Sequence, residues 1–184
     1  SSSGTLDNIT VGSSLNESGP LGILNDLTLA DGVDFNTGAS TIYFSGAAAD
    51  IQLAAGASAA TLTHTGTLYA NSGYNNGVVT IGSGVTVAGS GGLSNYWGNG
   101  GWVNNGTILN NTAGTLTISS TYFTNNGTLR ATAGTTNVTP TNLTLAAGST
   151  LDVAGGTLTI GPTNAWNNLG ALTLGSGTLN LGSS

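Results

Sequence analysis

Leu172-Thr173-Leu174-Gly175-Ser176-Gly177-Thr178-Leu179-Asn180-Leu181 sets two apolar/polar alternations on either side of a glycine turn. Alternation of period two is the pattern of a strand buried on one face. Further back along the chain the pattern returns as Leu151/Val153 with Leu158/Ile160, then Leu129/Ala131 with Thr136/Val138, then Ile108/Asn110 with Leu116/Ile118. Ile108, Leu129, Leu151 and Leu172 are 21, 22 and 21 residues apart, and Leu116, Thr136, Leu158 and Leu179 are 20, 22 and 21 apart. The turn glycines Gly114, Gly134, Gly156 and Gly177 keep the same step. Strands this short cannot bury a face alone, so the repeat predicts a solenoid in which each coil covers the next. The predicted fold is an all-β parallel β-helix (β-solenoid) with 20–22 residues per coil. The chain, 1–184, reads as a single such domain of roughly eight or nine coils, ~40 Å long at the usual strand spacing.

Composition narrows the function. The 184 residues include one Lys or Arg, seven Asp or Glu, 31 Gly and no Cys or Met, with 4% charged and 38% hydrophobic side chains. Thr, Ser and Asn must therefore carry the surface, which is polar but nearly uncharged. The regular placement of the apolar residues separates the chain from a disordered Gly/Ser linker. With Arg130 as the one fixed cation, nothing can neutralise a run of phosphates, so no nucleic-acid partner is expected. No membrane insertion is expected either: the closest apolar stretch, residues 47–60, is interrupted by Asp50, Gln52, Gly56 and Ser58 and reads as packed coils. Without cysteine there are no disulfides or thiolate metal sites. The opening Ser1-Ser2-Ser3-Gly4, without Met, reads as a processed product or a segment of something longer.

Earlier strand candidates are Ile9/Val11, Leu27/Leu29, Ile42/Phe44, Ile51/Leu53, Val79/Ile81 and Val85/Val87. The Asn-Gly pairs at Asn76, Asn99, Asn105 and Asn126 admit a rival reading as antiparallel hairpins of a sandwich or barrel. Recurrence of Asn104-Asn105-Gly106 as Asn125-Asn126-Gly127 at the period of the coil favours stacking, where like asparagines hydrogen-bond up the rod. One step is irregular. The segment from Val79 to Val87 resembles the C-terminal copy, yet Ile108 follows Val79 by 29 residues. This predicts an insertion of eight to ten residues and an outward loop near 89–101, and solenoid insertions often mark a binding face.

Five aromatic residues are the candidate ligand contacts. Trp102, Phe123 and Trp166 share a predicted column with Thr144, beside Val103, Thr124, Leu145 and Asn167. Facing outward, the rings would form a ladder for sugar rings or a protein partner; facing inward, they would fill a wide corner of the core. Tyr96 and Trp97, in the expected loop, serve either recognition or anchoring of that loop. His64 has no Cys, Asp or Glu near it in sequence and reads as structural or surface-exposed. The acids Asp7, Glu17, Asp26, Asp31, Asp34, Asp50 and Asp152 are scattered, and Asp31-Gly32-Val33-Asp34 lacks the dense ligands of a calcium loop. No catalytic residue, metal site or cofactor is expected, and the chain reads as non-enzymatic. Asn-x-Thr/Ser triplets at Asn8, Asn16, Asn105, Asn110, Asn126, Asn137 and Asn142 permit glycosylation without arguing for it.

Asn104-Asn105-Gly106-Thr107-Ile108, Asn125-Asn126-Gly127-Thr128-Leu129 and Gly156-Thr157-Leu158-Thr159-Ile160 resemble the repeats of bacterial autotransporter passengers, two-partner-secretion adhesins and related giant surface proteins. The resemblance is compositional and periodic and covers most of residues 79–181. It implies a right-handed parallel β-helix, exported unfolded and displayed outside the cell, at the cell surface. The expected function is a structural rod segment or self-assembling filament subunit, partnered end to end by itself or by further repeats. The alternative is a module that binds glycan or a host surface through its aromatic loop, and a third reading is ice binding by a Thr-rich face.

Overall fold

The computed structural model describes residues 4–70 and 76–182; Ser1, Ser2 and Ser3 lie outside them. The described residues form 22 strands and no helix, in a parallel β-solenoid of about 8 turns. Most coils lay one strand on each of three faces. The first face stacks Ile42–Phe44, Thr67–Ala70, Gly91–Asn95, Thr115–Ile118, Thr135–Val138, Thr157–Ile160 and Thr178–Leu181. The second stacks Ala48–Leu53, Val78–Ile81, Gly101–Asn104, Tyr122–Asn125 and Asn142–Leu145. The third is an 8-stranded sheet from Leu15–Asn16 through Asp34–Gly38, Ala60–His64, Val85–Gly89, Thr107–Asn110, Thr128–Ala131 and Thr150–Val153 to Ala171–Leu174. Near the N-terminal end Leu21–Leu29 joins the first two faces, because residues 21–23 pair with Ile42–Phe44 and residues 27–29 with Ala48–Leu53. Gly4–Val11 lies parallel against that long strand.

Alternation decides which side chains enter the core. Ile108, Leu129, Leu151 and Leu172 are successive partners on the third face, and Leu116, Thr136, Leu158 and Leu179 on the first, in the columns predicted. Ile23, Leu27, Phe35, Phe44, Ile51, Leu62 and Leu68 extend the same apolar core toward the N-terminus. The outward residues between them stack as well. Thr61, Thr86, Thr107, Thr128 and Thr150 form one unbroken threonine column, and Arg130 lies over Asp152 at 2.9 Å.

The Asn-Asn-Gly runs are corners of the coil, not hairpins. Asn104 and Asn125 turn into the core, where the Asn104 amide donates to Asn125 Oδ1 at 2.7 Å, while outside Asn126 donates to Asn105 Oδ1 at 2.8 Å. Asn104 Oδ1 also accepts the Gly106 N–H, as Asn110 Oδ1 accepts Thr112 N–H and Asn168 Oδ1 accepts Gly170 N–H. Each is a side-chain-closed turn over two residues. Gly106 and Gly127 are not in the left-handed region that a two-residue hairpin requires. They are glycine because the neighbouring coil passes too close for a Cβ: one at Gly127 would strike the Gly106 carbonyl oxygen.

Two expectations are corrected. Val79 pairs with Trp102, not with the column of Ile108, and it is Val87 that pairs with Ile108. The 29-residue step therefore spans two different faces, and the third-face step from Val87 to Ile108 is the regular 21. Of the expected loop 89–101, Gly91–Asn95 is a first-face strand paired on both sides, and only Ser90 and residues 96–100 lie between strands. The aromatic column also shifts. Phe123 pairs with Leu143 after 20 residues, so Thr144 falls in the outward column with Val103 and Thr124. A slip of one residue exchanges the two sides of a strand.

Candidate aromatic site on the rod flank

That slip decides the fate of three candidate residues. Trp102 and Phe123 point inward and are buried, with Trp102 edge-on to Phe44 at 6.0 Å and its indole N–H donated to the Ser94 carbonyl at 2.9 Å. Neither ring can stack on a ligand while the coil is intact. Trp166 is half-buried against the core above Leu143 and Leu145, where the second face ends in a single bridge between Leu145 and Asn168. Of the two orientations open to Trp102, Phe123 and Trp166, the structure takes the inward one, and the rings fill the core.

Tyr96 and Trp97 are exposed, at 45% and 58%, and they have aromatic company that the sequence reading missed. Ile42–Phe44 and Thr67–Ala70 bury their flanking residues, so Tyr43 and Tyr69 project from the first face, and their rings stack at 5.5 Å and 14°. The next residue in this outward column is Ser94. Its small side chain leaves room for Tyr96, which packs edge-on to both tyrosines at 5.3 and 5.4 Å. Trp97 extends the cluster, edge-on to Tyr96 at 5.2 Å. The missed signal was the register of Tyr43 over Tyr69. Their 26-residue step departs from the later period and shows only once the strands are paired.

The turn carrying Trp97 is held in place. Asn95 donates through its amide to the carbonyls of Trp97 at 3.3 Å and Gly98 at 2.9 Å, and its Oδ1 accepts the Thr121 N–H of the next coil at 2.9 Å. The Thr121 hydroxyl donates to the Gly98 carbonyl at 3.3 Å. The loop is therefore anchored, as one of the two readings expects, with the Trp97 indole exposed.

No protein-family model, curated protein or solved structure matches the chain.

The remaining polar candidates serve the coil. Asp31 Oδ1 accepts three bonds from the next coil, from the Ser58 N–H at 2.7 Å, the Ser58 hydroxyl at 2.9 Å and the Ala59 N–H at 3.2 Å. The Ser58 amide first, then its hydroxyl, holds this carboxyl below the ordinary range. Asp34 accepts the Thr63 hydroxyl at 2.8 Å. The acids of Asp31-Gly32-Val33-Asp34 thus bond to coil neighbours, and among the described residues no group of three or more His, Cys, Asp or Glu could hold a metal. His64 is buried rather than on the surface; its Nδ1 lies 3.3 Å from the Gly66 carbonyl and its Nε2 has no hydrogen-bond partner. Desolvation pushes its pKa down to about 4. The Thr-rich first face carries Thr115, Thr135, Thr157 and Thr178 in one column, but the parallel column alternates Thr117, Asn137, Thr159 and Asn180. A uniform two-column threonine lattice is not formed.

Proposed function

We propose that the chain is a non-enzymatic structural β-solenoid, a rod segment of a protein displayed outside the cell, at the cell surface. Its described C-terminal coil face is covered by an equivalent coil, either from further repeats or from a second copy. One observation carries this reading. The inward columns run in register to the last described coil, where Leu172, Leu174 and Leu181 are 47%, 56% and 62% exposed, and among the described residues Ala171–Leu174 and Thr178–Leu181 are each paired with a strand on one side only. An apolar coil face with unpaired strand edges is a template for another strand layer of the same spacing. The extracellular setting is supported by the resemblance of the corner motifs to surface-protein repeats.

Electron microscopy of the purified chain over a concentration series tests the proposal. Rods lengthening end to end at constant width are expected. Single short rods at every concentration, with sedimentation of a monomer throughout, would overturn stacking by a second copy and leave coverage by further repeats of the same protein.

A further inference from the structure

We propose that Tyr43, Tyr69, Tyr96 and Trp97 form a binding platform for a neutral polysaccharide. The inference does not depend on end-to-end stacking, since the platform lies on the flank of the rod and the stacking surfaces at its ends. The exposed large apolar side chains of the described residues divide by chemistry. Those at the ends are aliphatic: Leu6 and Leu15 near one, Leu169, Leu172, Leu174 and Leu181 near the other. Those on the flank are Tyr96, Trp97 and Tyr122, and each has a polar atom at the tip of its ring. Aliphatic surface suits the next coil; a ring with a hydrogen-bonding tip suits a ligand that is apolar on one side and hydroxylated on the other.

A pyranose is such a ligand. Its axial C–H groups pack on a ring, and its equatorial hydroxyls bond to amides and hydroxyls. The cluster spans three successive coils, about 10 Å at ordinary strand spacing, which seats more than one sugar unit along the rod. Its neighbours are uncharged: Gly22 and Ser94 complete the outward column on either side of the tyrosine pair, and Thr121 and Asn95 tie down the turn. With a formal net charge of −6 and its one cation committed to Asp152, the chain disfavours an anionic sugar polymer. The turn bearing Trp97 is already fixed in the free protein, so binding orders little and more of the contact energy appears as affinity.

Affinity electrophoresis of the full chain through gels containing hydroxyethyl cellulose, mixed-linkage β-glucan or galactomannan tests this, with pelleting on cellulose and chitin and an alginate gel alongside. The native chain should be retarded or pelleted by at least one neutral polymer. Trp97→Ala, and the double variant Tyr43→Ala/Tyr69→Ala, should each weaken binding about ten-fold or more, and Trp97→Phe should retain most of it. Tyr122→Ala, which alters an exposed ring outside the cluster, should bind like the native chain. Because the tyrosine pair also anchors the turn, the urea midpoint of each variant is measured; Trp97→Ala should lose binding at an unchanged midpoint. Failure of every neutral polymer to retain the native chain, retention by alginate alone, or undiminished binding by Trp97→Ala would each overturn the proposal.

Discussion

His64 stands where other corners of the coil hold asparagine. His64-Thr65-Gly66 matches Asn125-Asn126-Gly127, and Nδ1 lies near the Gly66 carbonyl as the Asn125 amide lies near that of Gly127. The ring fits because its register partners are Gly38 and Gly89. The imidazole is buried neutral, and this has a consequence in solution. The unfolded chain takes up a proton near pH 6.5 and the folded chain at about 4. Between these values the unfolded state binds more protons, so stability is complete above pH 6.5 and falls as pH drops through the window. A difference of this size amounts to about 3 kcal/mol. Urea midpoints should hold above about pH 6.5 and fall from there to pH 4, and His64→Asn should flatten that slope while keeping a corner-forming side chain. Asp31 adds acid sensitivity only as pH falls through its ordinary value of 3.8. A slope undiminished in His64→Asn would place the acid sensitivity elsewhere.

At the scale of the element, the repeating unit is a short strand plus a corner, and the two halves tolerate change differently. Asn125 is buried, accepts from Asn104 and lies on the corner that Gly127 closes; Asn126 makes its ladder bond in solvent. Asn125→Ala should cost about 2 kcal/mol, because it strands buried groups without a partner. Asn126→Ala should stay within about 0.5 kcal/mol, the usual size of a surface change. Paired urea melts check the contrast, and equal losses would mean that the inner asparagine is not the one closing the corner. The columns of the third face were legible because Ile108, Leu129, Leu151 and Leu172 are all large and apolar. The second face was misread at Thr144 because Leu143 and Leu145 both fit an inward position, and the 20-residue step depends on how the corner is closed.

For the whole molecule, the two ends differ. The described C-terminal coil presents Leu172, Leu174 and Leu181, whereas Gly4–Val11 lies across the opposite end with Leu6 and Leu15 exposed. Under the proposed stacking, contact between unlike ends is head to tail, a heterologous contact that adds copies in line instead of pairing two. A Leu172→Asp/Leu174→Asp double variant should fail to elongate. Mixed at a small fraction into the native chain, it should join through its intact end, block further growth and shorten the filaments seen by electron microscopy. Unaltered filament length in the mixture would show that these leucines lie outside the growing contact.

The sequence by itself determined the solenoid, the period of its coils and the inward identity of its longest columns, because alternation and repetition are local properties that survive in a string of letters. It also made plain how little charge the surface carries. Tertiary structure alone decided which strand lies over which. That pairing sends Trp102 and Phe123 into the core after a one-residue slip, makes Gly91–Asn95 of the expected loop into a strand, and brings Tyr43 and Tyr69 from earlier coils to Tyr96 and Trp97. Contacts between coils depend on the length of each intervening corner, and a corner's length is settled by how its backbone is hydrogen-bonded to the coil beside it.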